Sequence, residues 1–163
     1  MLSNSALLEV SLRMMVAVAI GCIIGIDRNL RGKPTGVKTL GLVALSAALV
    51  TMASMGFSVT AIADDRSARV IQGIVTGIGF LGAGVIIQSQ TEKRIRGLTT
   101  AASIWVTAAL GIVCGIGAWS VAVIATVIVM LLFTVGRVAE RTLHRRWLSK
   151  PEHERAAVEL HDE

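Results

Sequence analysis

The stretch WSVAVIATVIVMLLFTVG, residues 119–136, decides the class of this protein. It carries no charged residue, and from Val121 to Leu132 its apolar side chains follow one another without the period-two alternation that a membrane strand needs. In lipid every backbone N–H and C=O has to be paired internally, so an unbroken apolar run of this length is a helix that crosses the bilayer.

Four further runs upstream read the same way: Leu7 to Ile26, Val37 to Phe57, Ala68 to Ile87 and Leu98 to Cys114. With Trp119 to Gly136 they make five spans and a membrane domain over residues 1–136, followed by a short tail over 137–163. The fourth and fifth runs nearly merge. Gly115-Ile116-Gly117-Ala118 separates them at about the depth where a helix of ~17 residues must leave the membrane. Composition agrees: 53% of the 163 residues are hydrophobic and only 17% charged, against roughly 25% charge in an ordinary soluble domain. The expected fold is an all-α integral membrane bundle of five transmembrane helices.

The loops set the expected orientation. Arg28, Arg31, Lys33 and Lys38 flank the first connection, and Lys93, Arg94 and Arg96 the third. The second carries Asp64, Asp65 and Arg66, the fourth no charge, and the tail opens with Arg137, Arg141, Arg145 and Arg146. Basic and non-basic loops alternate, which by the positive-inside rule puts the N-terminus outside and the C-terminus in the cytoplasm. The net charge of +5 is thereby a topology signal and no sign of nucleic-acid binding. The first span lacks a basic leader and a small-residue cleavage site and reads as a retained anchor. Cys22 and Cys114 fall at opposite depths, too far apart for a disulfide.

Sixteen glycines punctuate the spans. Gly21/Gly25, Gly73/Gly77 and Gly111/Gly115 are four apart, the spacing that lets membrane helices approach closely. The third span also holds Gly79, Gly82 and Gly84; glycine on both of its faces suggests a helix at the centre of the bundle. A second reading breaks that helix at Gly77–Gly82 to expose carbonyls to an ion. Thr99, Thr100, Ser103 and Thr107 share one face of the fourth span, as a hydrogen-bonding stripe between helices or the lining of a polar crevice.

Three stretches resemble one known family. They are Gly21 to Arg28 with Gly32-Lys33-Pro34-Thr35-Gly36-Val37-Lys38-Thr39; Gly77 to Ile86; and Gly97-Leu98-Thr99-Thr100-Ala101-Ala102 with Trp105 to Gly111. In this order they are similar to the MgtC/SapB family of bacterial inner-membrane proteins, over roughly residues 10–135. The resemblance implies a multi-pass protein of the bacterial inner membrane tied to magnesium limitation and, in pathogens, to virulence through survival inside phagocytes. It implies a regulator of a membrane partner such as the F-type ATP synthase, with Mg²⁺ (or other ion) transport as the alternative. Asp27 stands where the family usually has Glu, Lys38 where it usually has Arg, and Leu40 where a His is common. Fuller members carry a folded domain after the last span, for which residues 137–163 are too few.

Membrane ion routes are marked by ionisable groups at depth, and Mg²⁺ takes oxygen ligands, usually carboxylates and water. No Asp or Glu stands in the middle of a span. Arg13 is the charge at depth, read as snorkelling beside Glu9 at i−4. No zinc-protease, P-loop or triad pattern is present, so no enzyme, cofactor or metal site is expected. The candidate binding layer lies at one edge, where the expected topology gathers Asp27, Arg28, Lys38, Thr39, Arg96, Thr99 and Thr100. There Asp27 is expected to pair with Lys38 or Arg96, while Thr99 and Thr100 cap the fourth helix. This edge could dock a membrane partner, hold an ion, or serve only as a salt-bridge layer. The small-residue faces also permit a homo-oligomer. In the tail, Arg141, His144, Arg145, Arg146 and Trp147 form a basic strip suited to anionic lipid, and the chain from Pro151 on has the composition of a disordered segment.

Overall fold

The computed structural model describes residues 3–58, 64–88 and 97–148. These form five helices: α1 (Asn4–Asn29), α2 (Val37–Ser54), α3 (Asp65–Gln88), α4 (Leu98–Ile116) and α5 (Trp119–Leu148). Each is long and apolar enough to cross a membrane, and there is no strand among the described residues. The spans stand where the apolar runs place them, with one large difference at the end. The fifth helix does not stop at Gly136; helical residues run on to Leu148. A glycine inside a helix costs only about 1 kcal/mol relative to alanine, and residues 137–148 contain no proline to end it. Arg137 and Arg141 therefore ride on the same helix as the span.

The chain divides into two compact units, residues 1–126 and 127–163. In the second, Thr134 and Thr142 donate to the carbonyls of Met130 and Val138, and Arg137 Nη2 donates to the Phe133 carbonyl. The side chains of His144, Arg145, Arg146 and Trp147, and all of residues 149–163, lie outside the described residues.

The first unit is organised around α2, whose buried positions are mostly small: Gly41, Ala44, Ala47, Ala48 and Thr51. Small residues on the neighbours meet them. A side chain at Gly21 would run into the carbonyl oxygen of Leu40, and one at Gly25 into the backbone of Val37. On the other side Gly111 lies against the Ala44 backbone and Gly115 against Ala48 and Thr51. These pairings make α1 antiparallel and α4 parallel to α2. Without a hydrophobic driving force inside lipid, backbone approach and dispersion hold such helices together. The hydroxyls buried among them are satisfied within their own helices: Thr51 donates to the Ala47 carbonyl and Thr107 to that of Ser103, each at 2.7 Å.

The central helices are thus α2 and α4, and the expectation that α3 holds the centre is corrected. Ile71, Ile74 and Ile78 turn one side of α3 toward Ala47, Ala108 and Ile112. Gly82 makes ordinary contact with Ala101, whereas Gly73, Gly77, Gly79 and Gly84 face open space. Bulky isoleucines set the packing side, and the glycines fall on the rest of the helix. Nor does the helix break at Gly77–Gly82, since α3 is continuous through it.

Candidate functional site

Two arginines of α1 reach across to the two ends of α4. Arg13, 5% exposed, sits beside the α4 C-terminus. That terminus closes in a Schellman arrangement: Gly117 is left-handed at φ 86°, its N–H donates to the Cys114 carbonyl, and the Ala118 N–H donates to that of Val113. Two of the last four carbonyls remain, and Arg13 Nη1 supplies both, donating to Gly115 O at 2.9 Å and Ile116 O at 3.2 Å. Its Nε donates to Glu9 at 2.9 Å. Arg13 therefore does not snorkel; it caps a helix 102 residues away in sequence. Any side chain at Gly117 would strike its guanidinium.

Arg28, 3% exposed, makes the corresponding contact at the α4 N-terminus. Nη1 donates to Ser103 Oγ at 2.9 Å, while Nη2 donates to Thr100 Oγ1 at 2.5 Å and to the Pro34 carbonyl at 3.1 Å. Ser103 passes the chain on by donating to Thr99 O at 2.6 Å. One guanidinium thus ties the end of α1, the α1–α2 loop and the first turns of α4, which a lysine could not do with its single ammonium. The loop is shaped to present that carbonyl: Gly32 and Thr35 both take positive φ, 61° and 63°, a conformation costing a β-branched residue on the order of 1–2 kcal/mol. Arg28 Nε is buried without a hydrogen bond among the described residues.

The other residues of the expected layer separate. Asp27 pairs with Arg31 in the turn that follows α1, instead of with Lys38; Arg96 lies outside the described residues. Thr99 and Thr100 do not cap α4. Its N-cap is Gly97, left-handed at φ 93° and without a side-chain hydrogen bond, and the Thr100 hydroxyl is engaged by Arg28. Lys38 and Thr39 are exposed, at the mouth of a groove between α2 and α3. Two contacts join the end of α1 to the starts of its neighbours: Arg28 meets Thr100, and Gly25 meets Val37 at the start of α2. Sequence reasoning placed Ser103 in the hydrogen-bonding stripe of the fourth span without linking it to Arg28, and left Arg31 and the Pro34 carbonyl out of the site. The available signal was the i, i+3 spacing of Thr100 and Ser103 together with the demand of a buried Arg for acceptors. No group of three or more His, Cys, Asp or Glu that could hold a metal occurs among the described residues.

The sequence model of the MgtC family matches residues 14–142. Protein SrpB of Synechococcus elongatus is 42% identical over 133 residues, 76% of this chain and 72% of that protein. Protein MgtC of Salmonella typhimurium is 40% identical over 119 residues, 73% of this chain and 48% of that protein. Protein MgtC of Brucella abortus is 39% identical over 139 residues, 83% of this chain and 56% of its own length. The chain thus spans about half the length of the MgtC proteins it matches. No solved structure matches it. Because the family pattern runs from the middle of α1 into α5, over all the helices that build the bundle, this chain belongs to the MgtC family.

Proposed function

We propose that this protein is a regulator in the bacterial inner membrane, linked to adaptation to low magnesium and, in a pathogen, to intracellular survival. It acts by binding a membrane partner such as the F-type ATP synthase. The observation that carries this reading is the open face of α3. Gly73, Gly77 and Gly84 form one stripe at ~100° per residue and meet nothing within 4 Å among the described residues. A ridge-free stripe that its own chain leaves uncovered is a surface on which a second transmembrane helix can pack closely. The two buried arginines support a scaffold role, because both are engaged in joining α1 to α4.

The test is co-purification. Tagged protein solubilised in mild detergent should carry an F-type ATP synthase component with it, and Gly73→Leu with Gly84→Leu should lose that component while remaining folded. Retention of the component by the double variant would overturn the docking face. Protein-dependent Mg²⁺ entry into liposomes loaded with a magnesium indicator would replace regulation by transport.

A further inference from the structure

Between α2 and α3 lies a groove of about 490 Å³. At one end stand Lys38 and Thr39; at the other Val50 and Ile74 face across it, and Gly77 forms part of its α3 wall. Apart from the mouth and Ser46 the lining is apolar. From Lys38 to Val50 the helical rise is ~18 Å, close to half of a hydrocarbon core ~30 Å thick. The groove therefore runs from the basic edge to about the bilayer midplane, the depth of one leaflet.

An apolar groove one leaflet deep with a basic mouth matches an amphiphile whose tail is a hydrocarbon chain and whose head is anionic. The mouth adds a charge preference. Lys38 is exposed and makes no ion pair among the described residues. The Lys38 side chain and the Thr39 hydroxyl stand exposed on the first turn of α2 at this mouth, where an anion can meet them.

We propose that this groove binds one acyl chain of an anionic phospholipid from the leaflet at the basic edge, with the lipid phosphate on Lys38 and Thr39. Gly77 is the position that keeps the groove clear, because a larger side chain there has open space in which to project. Gly77 is shared with the α3 stripe of Gly73 and Gly84, whereas Lys38 stands on α2 off that stripe, so Lys38→Gln tests this site without altering that surface.

The full chain, delipidated in detergent, is titrated with dioleoyl phosphatidylglycerol and with dioleoyl phosphatidylcholine, and bound lipid is counted by native mass spectrometry. Phosphatidylglycerol should bind about fivefold more tightly, the contribution of one lysine at a membrane surface. Lys38→Gln should abolish that preference, and Gly77→Leu should lower occupancy by both lipids. Lys33→Gln, in the neighbouring loop and outside the groove, should change neither. Equal binding of the two lipids by the unmodified chain would overturn the proposal. So would unchanged occupancy in Gly77→Leu, or a loss of preference in Lys33→Gln as large as in Lys38→Gln, which would make the attraction a diffuse surface charge.

Discussion

Helices α3 and α4 contain much the same small residues and use them in opposite ways. In α4, Gly111 and Gly115 press on the backbone of α2, and 56% of the most apolar window of the helix is buried. In α3 four glycines touch nothing among the described residues, and the corresponding share is 6%. The ends differ as well. Two arginines of α1 clamp both ends of α4, while the described contact that fixes the start of α3 is its own Asp64, which accepts from the Ser67 amide at 2.9 Å and the Ser67 hydroxyl at 3.0 Å. Small-residue spacing thus marks where helices can approach; which ones do is decided by the bulky side chains beside the glycines. Ile71, Ile74 and Ile78 commit one face of α3 to the core and leave its glycines outside.

The sharpest way to break this comparison is to fill glycines on each helix. Gly111→Leu forces a side chain into the Ala44 carbonyl and the Ala47 methyl, backbone and core that cannot yield. It should cost about 3 kcal/mol or more, the upper end for overpacking, and be read as a lowered unfolding midpoint in detergent or as loss of the folded protein. Gly73→Leu or Gly84→Leu should stay within ~0.5 kcal/mol of the unmodified chain, as surface changes do. Equal losses on the two helices would mean that α3 is packed as tightly as α4.

A smaller effect should follow from releasing the clamps. Arg13→Met leaves the Gly115 and Ile116 carbonyls and the Glu9 carboxylate without their donor, at about 1–3 kcal/mol for a buried group left unsatisfied. Arg28→Lys keeps the charge but cannot reach Ser103, Thr100 and Pro34 together; a loss of ~1 kcal/mol is expected. Amide hydrogen exchange should locate the loosening at the α4 C-terminus in the first variant and at its N-terminus in the second. Exchange that rises in α3 instead would show that the clamps hold the wrong helix.

How much of this could be read in advance depended on the range of the cause. Span existence followed from length and apolarity, which are local, and so did the break at Gly117, where a glycine is required at positive φ. The end of α5 was misplaced because Gly136 resembles a boundary, although nothing at that point competes with the helix. The roles of Arg13 and Arg28 were out of reach, since their acceptors lie 102 and 72 to 75 residues away. The residues of the expected edge could be gathered from the loops, but how they divide among partners could not. Whether Asp27 chooses Arg31 or Lys38 turns on helical register against the path of a loop, and the nearer partner at i+4 is the one engaged.

The smallest effect tests the other half of the comparison, the single-handed start of α3. Donation from the Ser67 amide, then from its hydroxyl, holds the Asp64 carboxyl below the ordinary carboxylate range. A carboxylate whose folded pKa lies below its unfolded value contributes its full stability above the unfolded pKa and loses it as the pH falls through the folded one. Asp64→Asn keeps an oxygen that can accept from Ser67 but has no charge to titrate. Protection of the first-turn amides of α3 should therefore fall on acidification below the ordinary carboxylate pKa in the unmodified chain and stay flat in Asp64→Asn. The amides of α4, whose ends are held by Arg13 and Arg28, should show no such difference between the two proteins. If α4 responded equally to the Asp64 substitution, the two helices would share one cooperative unit, and the contrast drawn from their glycines would describe packing but not stability.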